Sequence, residues 1–566
     1  MRYNPSLALF LATIAPSLVS NTLAATHTWD GSDNVEWFNG GGTNWSPVWN
    51  NDGNQDAVVN SGDTWINGNV YALSLTIGDG TGSNASVRPA YDNALWGVTS
   101  ITINADGSLA GSGNSSSHLK TINLNGGTIG GSDNGSSAAQ YGVFNFDETV
   151  TVNGGANTST ISTTGGGVTL GQPGGTVFNV ADGAASVDLL VSGNIVKAPS
   201  ASDTGLIKSG AGTMVLSGTN TYQSGTTVNA GTLSIQGGSA MSSDGSVTIN
   251  GGVLEVVQTL GGGGGDYNWY WGVDSTEIKT GGKLTINSHS HIRNLTLSGG
   301  ELASTGVDPF YGYGSWVLDD PTTVNGGVTS IISAHEVNAQ NGVFDVSAGS
   351  ILNVTGTINN GSVTKSGAGT MVLSNTNTYT GATSVSNGTL KVSGSIATSD
   401  VTVNGGILAS GSTGTVGKIV TVNSGASFAA GDVGTVGTAT VADDLNFSSG
   451  SIFDWDLTTA TNTYDKVTVM DQLNITSGAK FNLVSSTAFT DTFWDATHTW
   501  SDIFGSKAID NFLVSNFLYS GSATAPSAEG YFTISGSSLT WNAVPEPTSA
   551  LVGLLITAGL LRRRRA

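Results

Sequence analysis

The sequence contains no cysteine, and only 10% of its 566 residues are charged. The absence of cysteine excludes disulfide bonds, thiolate metal sites and cysteine nucleophiles. About 25% charged residues is usual in globular proteins, so most of this surface must be polar without charge. The charged side chains that are present comprise 18 basic and 40 acidic ones. Such a surface repels phosphate backbones, and we therefore expect no nucleic-acid partner.

Glycine is abundant, with 82 residues, and apolar residues make up 38% of the chain. The apolar residues alternate with threonine, serine and asparagine, which is the pattern of half-buried strands. Disordered segments lack this alternation and are poor in β-branched residues. The composition therefore predicts an all-β chain with many glycine turns.

The N-terminal segment has the order of parts found in an export signal. Arg2 precedes an apolar run over residues 7–19, and the small residues Ala24 and Ala25 follow. A charged start, a short apolar helix and small residues at the cleavage site define a secretory signal peptide. We assign residues 1–25 to it and expect the export machinery as a partner.

The C-terminal segment, residues 543–566, contains two prolines, an apolar stretch over 550–561 and a block of arginines. These parts resemble the PEP-CTERM sorting signal of Gram-negative bacteria, and the residues that carry the resemblance are Pro545, Glu546, Pro547, Arg562, Arg563, Arg564 and Arg565. The resemblance implies an exosortase-like membrane protease-transpeptidase as a partner. The apolar run is shorter than the roughly 20 residues of a stable span, so we expect a short transmembrane helix that tethers the chain transiently to the inner membrane. An ordinary tail anchor is the alternative.

A six-residue phrase, apolar-Thr-apolar-Asn-Gly-Gly, recurs along the body at 150–155, 247–252 and 401–406. Its apolar positions are two apart and share one face of a strand, and Asn-Gly turns the chain. The central residues Val385, Val403 and Val422 are spaced by 18 and 19 positions, and Val228 and Ile249 by 21. This interval predicts a coil of two or three short strands per turn, with columns of aliphatic side chains inside and uncharged ladders of polar side chains outside.

A longer repeat begins at Lys208 and at Lys365, and 19 of its 28 aligned positions are identical. It resembles the autotransporter-associated β-strand repeat, a family of secreted parallel β-solenoids. The resemblance implies a right-handed parallel β-helix, or β-solenoid. We place the repeats at about 205–236 and 362–393, and we expect both lysines to be solvated at a coil edge because buried lysine is rare.

The body divides into a Trp-rich N-terminal cap with the first coils (26–100), a central solenoid (101–450) and a C-terminal cap (451–542). Caps are expected because the exposed ends of a solenoid must be protected from pairing with other strands. At about 20 residues per turn, the body would form roughly 25 turns and a rod about 120 Å long.

The chain shows no constellation that specifies catalysis or a cofactor. His289 and His291 share a strand face, but a metal site needs three or four ligands, and His335-Glu336 is distant in sequence. Asp454 and Asp456 also share a face, and further pairs occur at Asp319-Asp320 and Asp443-Asp444. We interpret these as solvated edges or, at most, a loose Ca²⁺ site, and we expect no enzyme.

Five tryptophans lie between positions 29 and 65. The first interpretation is that they plug the end of the solenoid, as large aromatic side chains usually do when buried. The alternative is that Trp37, Trp45 and Trp49 stack on extracellular polysaccharide. We therefore expect an exported surface or extracellular-matrix protein of structural or adhesion type, with a carbohydrate-binding or polysaccharide-degrading β-helix as the alternative.

Overall fold

The computed structural model describes residues 25–29, 37, 45–46, 51–90, 92–112, 116–132, 143–164, 166–197, 204–236, 245–257, 273–305, 315–522, 526 and 529–544. The predicted signal helix and the sorting signal from Pro545 to Arg565 lie outside the described residues. In the part of the chain that is described, no helix is long and apolar enough to cross a membrane.

Most strands belong to two long parallel sheets that run side by side along a coil. Sheet A is a continuous ladder in which each strand pairs in parallel with the strand one turn later. Its described strands are Ala25–Trp29, Gln55–Val59, Tyr71–Ile77, Gly97–Asn104, Thr121–Asn125, Val150–Val152, Thr176–Val180, Leu206–Ser209, Thr226–Val228, Ser246–Ile249, Ser275–Lys279, Leu295–Ser298, Thr322–Val324, Val343–Val346, Val363–Ser366, Thr383–Val385, Val401–Val403, Val420–Val422, Leu445–Phe447 and Leu473–Ile475.

Sheet B follows sheet A within each turn and forms a second parallel ladder of the same kind. Its described strands are Gly62–Ile66, Ala85–Pro89, Gly107–Ser112, Thr128–Ser132, Ser159–Thr164, Leu189–Val191, Thr213–Leu216, Thr232–Gln236, Val253–Val257, Lys283–Ile286, Glu301–Ser304, Thr329–Ile332, Ile351–Val354, Thr370–Leu373, Thr389–Val392, Ile407–Ala409, Ser427–Ala429, Ile452–Thr458, Lys480–Ser485 and Leu518–Gly521.

The third side of the coil is less regular and carries short sheets where the turns are long. Its strands pair in parallel within three separate groups. The groups are Ser117–Leu119, Phe144–Phe146 and Val168–Leu170; Ser290–Ile292, Trp316–Leu318, Glu336–Ala339 and Thr357–Gly361; and Thr438–Val441 and Lys466–Val469. Single bridges link Thr376, Ser395, Thr415 and Thr440 between the second and third groups. The turns that carry these short sheets have three sides, and the stacked parallel strands define a parallel β-solenoid.

The spacing of the repeated phrase gives the observed register. Val385 pairs with Val403 and Val403 with Val422 in sheet A, as the 18- and 19-residue intervals predict. All three valines are fully buried, so they form one column of the core. The predicted outer ladders are also confirmed, because the Asn125 side-chain amide donates to Asn104 at 2.8 Å and that of Asn153 to Asn125 at 2.6 Å.

Sheet A contains 20 stacked parallel strands in the described residues, fewer than the roughly 25 turns expected. The difference arises because several turns are longer than 20 residues. Ile122 pairs with Val150 and Val150 with Phe178, so each of these two turns takes 28 residues. At about 4.8 Å per turn, the stack is about 90 Å long instead of 120 Å.

Different elements close the two ends. At the start, Trp45–Ser46 runs antiparallel to Ala25–Trp29, and Trp29 is buried. After the last strand of sheet A, the chain adds the strand Ile503–Ser506, two 3₁₀-helices (Thr492–Asp495 and Val514–Asn516) and an antiparallel sheet of His498–Trp500, Gly530–Ser535 and Ser538–Ala543. A short hairpin strand, Thr463–Tyr464, turns back on Ile452–Thr458.

The C-terminal antiparallel sheet encloses a cluster of aromatic side chains. Trp494, Trp500 and Trp541 are fully buried, and the Phe489 and Trp541 rings stack 5.1 Å apart. Phe517 lies between Phe481 of sheet B and Phe532 of this antiparallel sheet, so the sheet packs against the last turn, where a cap was expected. The predicted domain boundaries themselves stay predictions.

Candidate functional site

The two repeat lysines are not solvated, and the expectation that they lie at a coil edge is wrong. Lys208 and Lys365 are completely buried and point into the core of sheet A. Lys365 Nζ donates to the carbonyl oxygens of Ser366, Gly367 and Asn387, at 2.6, 2.7 and 3.2 Å. Lysine is accepted inside because its stem fills an aliphatic column position while its ammonium group is saturated by the carbonyls of the corner.

Lys208 repeats this arrangement in the first copy. Its Nζ donates to the carbonyls of Ser209, Gly210 and Ala230, at 2.9, 2.8 and 3.1 Å. Burial lowers the pKa of Lys208 and of Lys365 to about 8, while the nearby carboxylates of Asp188 and Asp345 act in the opposite direction. Each ammonium group therefore fastens the corner between sheets A and B of one turn to the corner of the next.

The polar turn of the repeat also makes its hydrogen bonds inside the coil. Asn377 accepts a hydrogen bond from the Ile358 amide at 2.8 Å and donates from its side-chain amide to Asn375 O at 2.9 Å. The Tyr379 hydroxyl lies 2.8 Å from that of Thr383, and burial raises the pKa of Tyr379 to about 12. Asn377 bonds to backbone groups and Tyr379 to Thr383 inside the coil, so these polar side chains stabilise the corner of the repeat.

Asp454 and Asp456 do share a strand face, as predicted, but the fold largely covers them. Asp456 is 3% exposed, and a third carboxylate that the sequence did not single out, Asp465, is fully buried nearby. Asp465 accepts hydrogen bonds from the amides of Gly437 at 2.7 Å and Asp456 at 2.9 Å. Burial raises the pKa of Asp465 to about 9 and, with the charge of Asp454, that of Asp456 to about 7. The group is a buried, proton-holding cluster and not an open catalytic pair.

Metal ligands come together at one place in the described residues. Asp443, Asp444 and Asp471 bring carboxylate oxygens within 4.8 Å of one another. Asp444 accepts from the Gln472 amide at 2.9 Å, and all three carboxylates are at least partly exposed. This set matches the type of oxygen ligand that Ca²⁺ prefers, but nothing else at this surface indicates an ion.

Of the tryptophans proposed to stack on sugar, Trp37 lies in the core and is 1% exposed. That placement favours the interpretation that these tryptophans plug the end of the solenoid. Trp45 belongs to the two-residue strand at the N-terminal end, and Trp49 lies outside the described residues. Glycan stacking by this cluster stays a prediction, and the exposed indole in the described residues is a different one, Trp96.

Trp96 belongs to a polar site on the third side that the sequence analysis missed. A turn with Asn93 at a positive φ of 59° holds the backbone, and the Trp96 amide donates to Asn93 O at 3.0 Å. The indole is 51% exposed, and its centroid lies 4.9 Å from that of the His118 ring, edge to face. An aromatic face and an imidazole are therefore presented together to solvent.

His118 is oriented by its neighbours on the third side. Its Nδ1 lies 2.9 and 3.0 Å from the two carboxylate oxygens of Asp147 and 3.0 Å from the side-chain nitrogen of Asn145. Asn145, the register partner of His118, donates to the same carboxylate at 2.6 Å and accepts from Thr169 at 2.8 Å. These contacts at Nδ1 orient the imidazole ring and leave Nε2 as the nitrogen that can bond another group.

The same pair occurs again further along the coil. His291 Nδ1 lies 2.9 and 3.0 Å from the carboxylate oxygens of Asp319, on the next group of third-side strands. The adjoining groove, about 420 Å³ in volume, is lined by His289, His291, Val317, Asn338, Gln340 and Asn360. His289 and His291 do face the same side, with ring centroids 5.5 Å apart. Among the described residues, these two histidines belong to no group of three histidine or acidic ligand atoms that all lie within 4.8 Å of one another.

A duplication in the sequence is the signal that would have identified both sites. Trp-Gly-Val at 96–98 recurs at 271–273, Ser-His at 117–118 recurs at 290–291, and an aspartate follows each histidine by 29 or 28 residues, at Asp147 and Asp319. The two copies differ in the length of their loops, so a fixed-interval comparison misses them. His335 and Glu336 lie apart from this arrangement, and the Glu336 carboxylate accepts from Asn359 at 3.1 Å.

Comparisons with known proteins agree with the solenoid. Residues 206–235 and 363–392 match the family described as Passenger-associated-transport-repeat, which are the two segments with the buried lysines. The chain is similar to the Adhesin BmaC autotransporter of Brucella suis biovar 1 (strain 1330), with 29% identity over 286 residues. The alignment covers 42% of this chain and 8% of that protein, so the chain spans a small part of its relative. No solved structure matches the chain.

Proposed function

We propose that this chain is an exported surface or extracellular-matrix protein of structural or adhesion type, without catalytic activity, from a Gram-negative-type bacterium. The observation that carries the proposal is the long parallel solenoid whose two lysine corners match a repeat of autotransporter passengers. Similarity to an adhesin over 42% of the chain supports the same function. A stiff rod suits display of a binding surface away from the cell.

We also propose that the chain is sorted through its C-terminal segment. In this account the export machinery moves the body out, the apolar stretch tethers it to the inner membrane, and an exosortase-like protease-transpeptidase removes the arginine block. Arg562 to Arg565 hold the C-terminus on the cytoplasmic side until that cleavage, because four arginines do not cross the bilayer.

Cell fractionation with mass spectrometry of the C-terminus tests the route. The expected result is surface-exposed protein whose last peptide ends before Arg562, and a precursor that accumulates in the inner membrane when Glu546 is replaced by Ala. Surface protein that retains the intact arginine block would contradict the sorting proposal. Protein confined to the cytoplasm would contradict the surface function itself.

Carbohydrate binding is the second candidate, and the groove at His291 is the observation in its favour. Amide side chains and imidazoles line it, and such groups hydrogen-bond sugar hydroxyls without requiring charge. Polysaccharide cleavage has less support, because Asp456 and Asp465 are buried and cannot reach a substrate in this conformation. Turnover assays on acidic and neutral polysaccharides test this: no released oligosaccharide is expected.

A further inference from the structure

We propose that the two His–Asp pairs of the third side, with Trp96, are two subsites that bind one neutral polysaccharide chain. This proposal rests on the surface function proposed above and names its ligand class. The first subsite is Trp96, His118 and Asp147, and the second is the groove beside His291 and Asp319.

The first subsite has the two features that a pyranose ring requires. The exposed indole of Trp96 offers an apolar face against which the C–H groups of a sugar can stack. Asp147 and Asn145 both contact His118 at Nδ1, so a sugar hydroxyl, which can donate or accept, can hydrogen-bond at Nε2. His118 and Asp147 side chains are each 27% exposed, so a ligand can reach them without any change of the fold.

Buried side chains support the His118–Asp147 pair from below, which distinguishes it from a chance surface contact. Asn145 is 8% exposed, and Thr169, which donates to it, is fully buried. These side chains hold the Asp147 carboxylate from below, as supporting groups do in preorganised binding sites. Ordering a series of hydrogen-bonded polar side chains costs side-chain entropy. A corner that only turns the backbone does not require such a series.

The duplication separates the two subsites by a defined distance. Seven parallel steps in sheet A lead from the strand Thr121–Asn125 to the strand Leu295–Ser298, which follow His118 and His291 in their turns. At about 4.8 Å per step the His–Asp pairs lie about 34 Å apart along the rod. A polysaccharide longer than this can occupy both, whereas a trisaccharide cannot, so binding of the long chain gains from effective concentration.

Charge selects among polysaccharides. The chain has a net charge of −22, and Glu148 and Asp320 directly follow the two orienting carboxylates. Arg293 Nε lies 3.9 Å from Asp319 and offsets one of these negative charges at the second subsite. Uronic-acid polymers would be repelled by this field, whereas neutral chains are unaffected. The ligand class is therefore a neutral polysaccharide, recognised by stacking and by hydroxyl hydrogen bonds.

Affinity electrophoresis of the full chain through gels containing dextran, laminarin, hydroxyethylcellulose or alginate tests the proposal. We expect retardation by at least one of the three neutral polymers and none by alginate. Trp96→Ala and His118→Ala should each weaken binding about tenfold or more, as for a residue at the centre of an interface. Trp96→Phe should retain most of the affinity, and Tyr531→Ala, which removes an exposed aromatic at the far end, should retain all of it.

The result that overturns the proposal is equal migration of wild type and Trp96→Ala in every neutral gel, or preferential binding to alginate. His291→Ala should weaken binding of the long polymer and leave the weak binding of a trisaccharide of the same sugar at His118 unchanged; equal affinity for polymer and trisaccharide would contradict a two-subsite face. A circular dichroism spectrum of each variant shows whether the solenoid is intact. Surface display measured on the same variants separates the two proposals, because normal display together with glycan binding that the variants do not change refutes this site alone.

Discussion

Replacement of Lys365 tests whether the repeat lysine stabilises the contact between the corners of successive turns. Lys365→Met keeps an unbranched stem in the aliphatic column and removes the three hydrogen bonds to Ser366, Gly367 and Asn387. Those three residues are partly exposed, so water replaces some of the lost hydrogen bonds. The variant also avoids the cost of burying a charge, which offsets a further part of the free energy lost. We expect a loss of about 1–3 kcal/mol for Lys365→Met. Lys365→Ala also creates a cavity and should lose about 3–5 kcal/mol.

Hydrogen exchange measured by mass spectrometry is the suitable assay, because each turn of a solenoid contacts mainly its neighbours and opens locally. Peptides from 363–392 should exchange faster in both variants, and peptides from 206–235 provide the reference within the same molecule, since they contain the unaltered Lys208 corner. Lys418→Met, at an exposed lysine, is the matched control. Unchanged protection of 363–392 in Lys365→Met, or equal loss in Lys418→Met, would refute the reasoning.

The remaining predictions concern backbone strain and pH. Gly388 and Gly327 have φ of 65° and 66°, but a Cβ on Gly388 would lie 2.3–2.5 Å from neighbouring carbonyl oxygens, whereas that on Gly327 meets nothing within 4 Å. In thermal unfolding, Gly327→Ala should therefore cost about 1–2 kcal/mol and Gly388→Ala about 2–5 kcal/mol, and equal costs would contradict the packing argument. Because burial raises the pKa of Asp465 from 3.8 to about 9, the folded state holds a proton that the unfolded chain releases, and this contribution to stability is lost as the pH rises toward 9. Asp465→Asn should flatten the fall of the urea midpoint between pH 5 and 9, and an unchanged slope would show that another group causes it.

Period and register were predictable from the sequence because the same physical demand recurs in every turn. The inward valines at 385, 403 and 422 recur once per turn, and outward asparagines stack on asparagines of the next turn. Both residue types therefore recur at regular intervals in the sequence. The roughly 25 turns predicted were too many because insertions such as those between Ile122 and Phe178 lengthen turns without altering the pairing of sheet A.

The burial of Lys208 and Lys365 was not predictable from residue type, since lysine is usually exposed and its burial here depends on three carbonyls from two successive turns. His118 and Asp147 come together from different turns, and so do Asp456 and Gly437 beside Asp465. Such sites depend on which loops end at the same corner, and single-residue patterns do not contain that information.

The central claim is that successive turns stack in parallel and in register, and paired cysteine substitution tests it most directly because the chain has no cysteine. Thr402 pairs with Thr421 in the next turn, and Thr421 pairs with Asn446 one turn further. Adjacent positions are about 4.8 Å apart, within the reach of a disulfide, whereas two turns, about 9.6 Å, exceed it. Mild oxidation of Thr402→Cys/Thr421→Cys should give an intramolecular disulfide, and Thr402→Cys/Asn446→Cys should give none. The reverse outcome, or no disulfide in the first variant, would contradict the stacked solenoid.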